Sequence, residues 1–346
     1  MPSEPCVAIL TEGLLTRVTA KTAIGVLRYA PYPVVAVIDS TRAGTDASTH
    51  VGVGSGVPVV ATVAEAIERG ANVVLVGTAA PGGKIPESYR PLLRDALERG
   101  LEVWNGLHER VLDHHDPRVR ELREPPSDLE IGGHRARRAG ARVILTVGSD
   151  AAVGKMTASL ELVAALERGG ARTAFVATGQ TGIAIAGQGI SVDAVVADFI
   201  AGAAERLVCD AAETSDWVIV EGQGSLTHPG FSGVTLGLLH GSAPDALVLC
   251  HDAARVTVKG HDDIPLRPLR DLVAIYESAA TWSRADPRVR IPVVAVALNT
   301  AGLADAAAMR AIEAATRDIS LPAADPVREG HGGADRLARA IRGALP

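Results

Sequence analysis

Cysteine, aromatic residues and long apolar runs are all scarce in this 346-residue chain, and each scarcity excludes a class of protein. The three cysteines, Cys6, Cys209 and Cys250, are far apart and form no Cys-x-x-Cys pair, which argues against a disulfide framework or a cysteine zinc site. They suit a reducing cytoplasm, which is the predicted location. Aromatic residues make up 3% of the chain, so alanine, valine and glycine must supply most of the core.

No apolar run reaches the roughly 18 residues that a membrane-spanning helix needs, and the first residues lack the basic and apolar parts of a signal peptide. The net charge of −6 argues against general binding to nucleic acid or to an anionic membrane surface. With 47% hydrophobic and 21% charged residues, the composition is that of a globular protein, and the length suits two domains. We therefore expect neither a nucleic-acid nor a membrane partner.

The stretch from Arg142 to Leu166, RVILTVGSDAAVGKMTASLELVAAL, has the layout of a phosphate-binding loop. An apolar, β-branched run ends at Gly148, a loop of small residues leads to Gly154 and Lys155, and a helical pattern follows. Backbone N–H groups and the positive end of a helix attract phosphate, and the lysine adds a full charge. The predicted phosphate-binding residues are Gly148, Ser149, Ala152, Val153, Gly154, Lys155, Met156 and Thr157.

This loop departs from the strict P-loop pattern G-x-x-x-x-G-K-[ST] in two places. The first glycine of that pattern falls on Ser149, and the residue after Lys155 is Met156 instead of serine or threonine. The hydroxyl comes one place later, at Thr157, and one residue rotates a side chain by about 100° around a helix. Whether Thr157 binds magnesium therefore stays open.

Lysine is also rare in this chain. Of the 34 basic residues only four are lysines, namely Lys21, Lys84, Lys155 and Lys259. A chain that otherwise uses arginine thus places a lysine in the glycine loop, where a compact point charge suits phosphate. This supports a phosphate-binding and catalytic role for Lys155.

The chain as a whole alternates buried apolar strands with helices, which predicts an α/β fold with parallel sheets covered on both faces. The polar, arginine-rich segment 116–140 predicts a linker between a first domain, residues 1–115, and a second domain, residues 141–346. In the first domain, Asp39 and the loop 77–84 follow predicted strands, where ligands bind in such folds. There is no strong Gly-x-Gly-x-x-Gly motif, so no dinucleotide site is predicted.

Three acidic residues of the second domain are candidates for catalysis or metal binding. Glu221 directly follows the apolar strand WVIV, where P-loop enzymes place an acid that holds Mg²⁺ or its water. Asp150 lies inside the phosphate loop, near the expected γ-phosphate, where a catalytic role and a structural cap are both open. Asp198 follows a predicted strand over residues 192–196 and is a third candidate, for metal binding.

Other polar side chains follow the strands of the second domain, and a shared site is expected because the carboxyl ends of parallel strands meet at one edge. Asn299 is placed to hydrogen-bond adenine, and Arg255 to bind a substrate carboxylate. His228 is a candidate acid–base residue, and no His-x-His or His-Glu-x-x-His spacing indicates zinc. The predicted substrate-binding residues are Gln180, Thr181, Gln223, Ser225, His251 and Arg255.

The motifs GSDAAVGK and VEGQG together resemble dethiobiotin synthetase. This resemblance covers the second domain and implies a P-loop NTPase-like parallel sheet. It also implies that Gly148–Thr157 binds ATP, that Glu221 binds a metal, and that adenine lies near Asn299. Met156 departs from that family, which has threonine at this place.

Longer segments that span nearly the whole chain resemble the DUF1611 family: KTAIGVLRY, VVAVIDS, VGKMT, ATGQTGIAIAGQGISVDAVVADFIAGAAERLV and VEGQGSLTHPGFSGVTLGLLHGSAPDALVLCH. The resemblance implies an N-terminal Rossmann-like domain and a C-terminal P-loop domain. The methionine of GKMT is shared with that family, so Met156 does not indicate a lost function. One branch of the family is assigned as D-glutamate N-acetyltransferase, which uses acetyl-CoA.

Three functions are compatible with these features. The favoured one uses ATP and Mg²⁺ to phosphorylate a small carboxylate, after which an amine captures the acyl phosphate as an amide; Glu221 then has a metal to hold. The second is acetyl-CoA-dependent N-acetylation of D-glutamate or a similar D-amino acid, with the same loop on the CoA phosphates. The third is a nucleotide-binding regulator without chemistry. The first two functions take a small amino-acid or carboxylate substrate. Separately, we expect a homo-oligomer, as is common for enzymes with parallel sheets.

Overall fold

In the computed structural model, the described part of the chain is residues 4–79, 81–286 and 288–345. Of the predicted domains and strand-end loops, residues 1–3, Ala80, Pro287 and Pro346 lie outside that part. The chain divides into two compact units, each built around its own six-stranded sheet. None of the helices in the described ranges combines the length and the apolar composition that a membrane span requires.

The first unit comprises Met1–Pro125 and Gly179–Ala194. Its strands are β1 (Val7–Leu10), β2 (Val34–Ile38), β3 (Val59–Val60), β4 (Val73–Val76), β5 (Glu102–Asn105) and β6 (Val119–Glu121). They lie in the order β3-β2-β1-β4-β5-β6, and every neighbouring pair is parallel. The central strands β1 and β4 are buried along their whole length, as expected for apolar runs in a sheet covered on both faces.

Helices between these strands cover the first sheet: α1 (Lys21–Tyr29), α2 (Ser48–Val51), α3 (Val63–Glu68) and α4 (Tyr89–Glu98). Helix α4 shows how the sequence directs the packing, because Tyr89, Leu93 and Ala96 recur at helical spacing and are all buried in the core of this unit. A threonine cap starts α3, where the Thr62 hydroxyl accepts a hydrogen bond from the Glu65 N–H at 3.2 Å.

The second unit comprises Pro126–Thr178 and Val195–Pro346. Its strands are β7 (Arg142–Gly148), β8 (Thr173–Val176), β9 (Trp217–Val220), β10 (Ala246–Asp252), β11 (Thr257–Val258), β12 (His261–Pro265), β13 (Val293–Asn299) and β14 (Ala323–Ala324). The sheet has the order β14-β13-β10-β7-β9-β8 and is parallel throughout, whereas β11 and β12 form a separate antiparallel hairpin. Strand β7 is therefore central, with β10 on one side and β9 on the other.

The remaining helices are α5 (Lys155–Arg168), α6 (Gln180–Ala186), α7 (Ile200–Ala212), α8 (Ser232–Ser242), α9 (Leu269–Thr281), α10 (Asp305–Ile319) and α11 (His331–Ala344). Helix α5 buries Ala158, Leu162 and Leu166 in the core of the second unit. Its last turn is closed by Arg342 of α11, whose guanidinium donates to the Leu166 carbonyl at 3.0 Å. A cation at the carboxyl end of a helix also complements the helix dipole.

Residues 179–194 follow β8 in the chain but belong to the first unit, although the sequence predicts a second domain that is continuous from residue 141. Helix α6 packs on α1 there, and the Tyr32 hydroxyl donates to the Ala184 carbonyl at 2.8 Å. The predicted strand over residues 192–196 is wrong. Its first residues form a 3-10 turn, Val192–Ala194, closed by a 2.8 Å hydrogen bond from the Ser191 hydroxyl to Asp193.

The predicted linker also contains regular structure. Residues 119–121 form β6 at the edge of the first sheet, where Val119 pairs with Val103 and Glu121 with Asn105. The Asn105 side chain donates to the Glu121 carboxylate at 2.6 Å and so ties the edge strand to its neighbour. A short polar edge strand of this kind carries little apolar signal in the sequence.

Candidate functional site

The phosphate-binding loop lies between the end of β7 and the start of α5, in a backbone conformation that depends on its small residues. Gly154 has φ 105° and Ala152 has φ 55°, both in the left-handed region. A Cβ at Gly148 would lie 2.7 Å from Lys155 Nζ, so the loop closes tightly around the lysine. A left-handed alanine is uncommon, and such strained positions cluster at functional sites.

Lys155 is the centre of this loop. Its side chain is buried, and its ammonium donates to the Asp150 carbonyl at 2.9 Å and to the Gly224 carbonyl at 2.8 Å. Burial lowers the pKa of Lys155 to about 8, partly offset by the nearby Cys250, Asp150 and Glu221. The lysine thus links the phosphate loop to the loop that follows β9.

Asp150 is a fully buried carboxylate whose hydrogen bonds all go to protein groups close to the loop. One oxygen accepts the Ala151 N–H at 2.7 Å. The other accepts Nη1 of Arg255 at 2.9 Å and the backbone N–H of Lys259 at 2.7 Å. This arrangement clamps the phosphate loop to the residues after β10, which favours the structural alternative for Asp150. Arg255 also donates to the Ala151 carbonyl at 2.6 Å, so the predicted carboxylate-binding guanidinium is part of the same clamp.

Glu221 is buried at the end of β9, next to the strand that leads into the loop. Its carboxylate accepts the Thr178 N–H at 3.1 Å and the Gln223 side-chain amide at 3.2 Å. The close approach to β7 is made possible by Gly222, because a Cβ there would lie 1.7 Å from the Thr146 carbonyl oxygen. The Glu221 carboxylate is near enough to the Lys155 ammonium to raise the pKa of that lysine, and the predicted role of Glu221 in metal binding or catalysis stays a prediction.

Tyr276 is a site residue that the sequence did not reveal. It lies on α9, is fully buried, and its hydroxyl donates to the Gly148 carbonyl at 2.7 Å while it accepts the Leu226 N–H at 3.1 Å. The buried Ser225 hydroxyl lies 3.4 Å from the same oxygen. Tyr276 thus holds the start of the phosphate loop and the loop after β9 in a fixed relation. Only the presence of a tyrosine on the apolar face of an amphipathic helix could have pointed to this role.

Two histidines contact residues of the site. His251 Nδ1 lies 2.9 Å from the Ser149 hydroxyl, and burial lowers the pKa of this imidazole below its ordinary value. His228 is buried, its Nδ1 accepts the Gly230 N–H at 3.0 Å, and its Nε2 lies 3.2 Å from the Lys259 carbonyl. Because Nδ1 accepts, Nε2 must carry the proton that it donates to that carbonyl. Both ring nitrogens of His228 are occupied by backbone groups, while its acid–base role stays a prediction.

Asn299 and Thr157 lie at the loop and stay predicted ligands of adenine and magnesium. A Cβ at Gly154 would lie 3.9 Å from Asn299 Cβ, which places the end of β13 beside the loop. The Asn299 side-chain oxygen accepts the Ala301 N–H at 3.1 Å. Met156 and Thr157 are half-buried in the first turn of α5.

The roles of three further predicted residues stay predictions. Gln180 and Thr181 begin α6 of the first unit, where the Thr181 hydroxyl lies 3.0 Å from that of Thr22. Asp198 is exposed in the 3-10 turn Ala197–Phe199, unlike the buried Glu221. Within the described ranges, no group of three or more His, Cys, Asp or Glu side chains is arranged to hold a metal ion.

Comparison with known proteins covers both units. Residues 130–338 match the P-loop domain of the DUF1611 family, and residues 40–131 match its N-terminal Rossmann-like domain. The crystal structure of a DUF1611 family protein from Anabaena variabilis is similar with a TM-score of 0.91 at 38% identity, covering 99% of this chain and 100% of that one. These matches agree with the two parallel sheets and with the loop at the end of β7.

Two enzymes with a stated activity are also similar. A D-glutamate N-acetyltransferase from a Pseudoalteromonas species is 37% identical over 281 residues, which is 78% of this chain and 82% of the enzyme. A D-glutamate N-acetyltransferase from Tritonibacter scottomollicae is 35% identical over 327 residues, which is 90% of this chain and 92% of the enzyme. The similarity therefore extends across both units.

Proposed function

The chain belongs to the DUF1611 family, and from this membership we propose that it is an acetyl-CoA-dependent N-acetyltransferase of D-glutamate or a closely similar acidic amino acid. The observation that carries the proposal is the 37% and 35% identity to two D-glutamate N-acetyltransferases over most of both chains. This reverses the order of the sequence hypotheses, in which ATP-dependent chemistry ranked first.

The phosphate loop fits the phosphate groups of CoA. Its backbone N–H groups and the start of α5 form an anion site of the kind found at helix N-termini. The absence of a side chain at Gly148 leaves room for the Lys155 ammonium, which would exchange its two carbonyl partners for phosphate oxygens. Asn299, beside Gly154, would hold the adenine. Acetyl-CoA supplies an acyl group that is already activated as a thioester.

Glu221 is the proposed proton acceptor for the amine. The substrate ammonium gives one proton to this carboxylate and becomes a nucleophile. Its nitrogen would attack the thioester carbonyl, so that the C–N bond forms and the C–S bond breaks. One of the two protons left on nitrogen would pass to the departing thiolate, and the other stays on the product amide. The bonds from Thr178 and Gln223 orient the Glu221 carboxylate for this task.

The ATP-dependent hypothesis is retained as a second candidate because of one observation. Glu221 is buried at the end of the strand next to β7, where P-loop enzymes use a carboxylate to hold Mg²⁺ or its water. In that case Mg-ATP would activate a small carboxylate, and Thr157 and Glu221 would face the metal. The same protein would then release phosphate during the reaction.

Calorimetric titration with acetyl-CoA and separately with Mg-ATP distinguishes the two candidates. We expect acetyl-CoA to bind, and Lys155→Ala to weaken this binding about 100-fold, because a buried charge-assisted contact to phosphate is lost. Arg310→Ala is the control, since it removes a positive charge from an exposed position of α10. Tight binding of Mg-ATP, none of acetyl-CoA, and phosphate release with D-glutamate would overturn the proposal.

Glu221→Gln tests the proton acceptor, with release of free thiol from acetyl-CoA as the assay. We expect kcat with D-glutamate to fall about 100-fold, because an amide cannot accept the proton. The affinity for acetyl-CoA should stay unchanged, since glutamine can still accept the Thr178 N–H. An unchanged kcat would remove Glu221 from the mechanism.

A further inference from the structure

The hairpin β11–β12 presents a lysine at its turn. Val258 pairs with His261, so Lys259 and Gly260 form a two-residue turn, and Gly260 has φ 81°. A turn with a left-handed residue only at its second position suits glycine there. Lys259 is exposed, and no ion pair of its ammonium occurs within the described ranges.

The main chain of Lys259 is held from both sides by buried side chains of the phosphate site. Its N–H donates to Asp150 of the phosphate loop at 2.7 Å, and its carbonyl accepts the Nε2–H of His228 at 3.2 Å. Asp150 is 0% exposed and His228 is 4% exposed. The His261 ring packs edge-on against His228, with ring centroids 5.5 Å apart. The turn is therefore fixed against the phosphate loop and the loop after β9.

The hairpin depends on contacts of this kind with the rest of the second unit. An isolated two-stranded hairpin is marginally stable, and the register of this one shifts between Thr257 and Val258. Two buried polar groups, one of them a carboxylate that costs free energy to desolvate, are used to hold a turn whose side chain stays in solvent. The consequence is that the main chain of an exposed lysine is fixed beside the phosphate loop.

We propose that Lys259 is a second cationic contact, after Lys155, for a phosphate group of the ligand bound at the loop Gly148–Lys155. The proposal rests on the proposed function only in taking that ligand to be a phosphate-bearing cofactor. Arg255 is already committed to Asp150 and Asp252, which leaves Lys259 as the cation of this clamp that can meet a ligand. Lysine is used sparingly in this chain and suits phosphate as a compact point charge.

Lys259→Ala is a clean test, because both holding bonds use main-chain atoms that alanine keeps. We expect the affinities for CoA and for inorganic pyrophosphate, measured by calorimetry, to fall about tenfold, as for the loss of one charge-assisted contact. Lys259→Arg should restore most of the affinity. The thermal midpoint of Lys259→Ala should equal that of the wild type, and Arg310→Ala should bind both probes normally.

Three outcomes would overturn this assignment. One is binding of CoA and pyrophosphate by Lys259→Ala as tightly as by the wild type, under conditions where Lys155→Ala no longer binds them. Another is an unchanged affinity for CoA with a raised KM for D-glutamate, which would make Lys259 a contact for the substrate carboxylate. The third is wild-type protein that binds none of CoA, ADP and pyrophosphate, which would overturn the proposed function as well.

Failure of the proposed function alone has a different signature. If the wild type binds ADP or CoA but does not acetylate D-glutamate, the acetyltransferase proposal fails. The tenfold effect of Lys259→Ala on the bound phosphate ligand would then still support the role of Lys259, because that effect is measured on binding and not on turnover.

Discussion

Both units place a buried acid and a buried tyrosine at the carboxyl ends of a parallel sheet, but the second unit adds a short loop and a lysine. In the first unit, Asp39 follows β2, and its oxygens accept the Leu15 N–H at 3.3 Å and the Thr41 N–H at 3.1 Å. This carboxylate holds the long connection of residues 11–20 between β1 and α1. In the second unit, the connection of residues 149–154 leads directly into α5 and its buried Lys155.

This difference between the two connections shows that the carboxyl edge of a parallel sheet is not sufficient for a phosphate site. A phosphate site also needs a helix that starts close to the strand end and a cation held there. The first unit uses its buried acid to order its own backbone, as the second does with Asp150, but the second also has the buried Lys155 and Glu221 near its phosphate loop. Three changes test how far this contrast extends.

The largest effect is expected for two glycines that follow strands, Gly77 after β4 and Gly222 after β9, where other groups approach the main chain closely. Gly222→Ala should lower the free energy of unfolding by about 3 kcal/mol, because the new Cβ would lie 1.7 Å from a backbone oxygen that cannot move alone. Gly77→Ala in the first unit should cost less, about 1.5 kcal/mol, since its Cβ would meet the Ile9 methyl at 2.3 Å. Denaturant unfolding measures both.

Gly233→Ala is the matched control for these variants, because nothing lies within 4 Å of a Cβ at that position of α8. It should leave stability unchanged or raise it slightly, as alanine is the better helix former. Equal losses of unfolding free energy for Gly222→Ala and Gly77→Ala would contradict the expectation that the surroundings of Gly222 are the more tightly packed.

A smaller difference is expected between the two buried tyrosines. Tyr276→Phe leaves the Gly148 carbonyl and the Leu226 N–H without their partner, so we expect a loss of about 2 kcal/mol and a weaker affinity for the phosphate ligand. Tyr89→Phe removes only a 3.2 Å bond to the Thr78 hydroxyl, which can rotate to another partner, so we expect about 1 kcal/mol and unchanged binding. Unfolding curves give the loss of stability, and calorimetric titration gives the affinity. Weaker binding by Tyr89→Phe would contradict the expectation that only the tyrosine of the second unit supports the phosphate loop.

A third difference is a pH dependence that the buried lysine of the second unit should produce. The pKa of Lys155 is lowered by burial from 10.5 to about 8, so between these values the unfolded chain binds more protons than the folded one. Stability of the ligand-free wild type relative to Lys155→Met should therefore rise as the pH increases from about 8 to about 10.5.

The same linkage predicts the pH dependence of binding. A bound phosphate favours the charged form of Lys155, so binding takes up a proton at pH values above about 8 and affinity falls as the pH rises. Calorimetry in buffers of different ionisation enthalpy detects this proton. A CoA affinity that is flat between pH 7 and pH 10 would show that Lys155 does not contact the phosphate.

The predictions from the sequence succeeded where a local pattern carries the physical cause. The apolar run before Gly148, the small residues after it and Lys155 specify a strand, a tight loop and a helix start, and the structure has all three. They failed where the cause is not local. The run over residues 192–196 is apolar enough for a strand, but a side-chain bond between Ser191 and Asp193 turns the chain instead.

Helices α8, α9 and α10 were not predicted from the sequence. One of them, α9, carries Tyr276, which is a site residue that the sequence did not reveal. Tyr276 reaches the phosphate loop from α9, across more than a hundred residues of chain. Asp150 meets the Lys259 N–H across a separation of 109 residues. Such contacts depend on which strands are neighbours in the sheet, and nothing in the residues near Asp150 or Lys259 encodes that order.

The sequence by itself determined the α/β class, the phosphate loop with its lysine, and the acid at the end of β9, because each follows from side-chain size, charge and spacing along a few residues. Only the tertiary structure decided that residues 179–194 pack with the first unit, that Asp150 clamps the loop, and that Lys259 is held beside it. The reason is physical: burial and hydrogen bonding join groups that are distant in the chain, and the roles of buried polar residues depend on those partners.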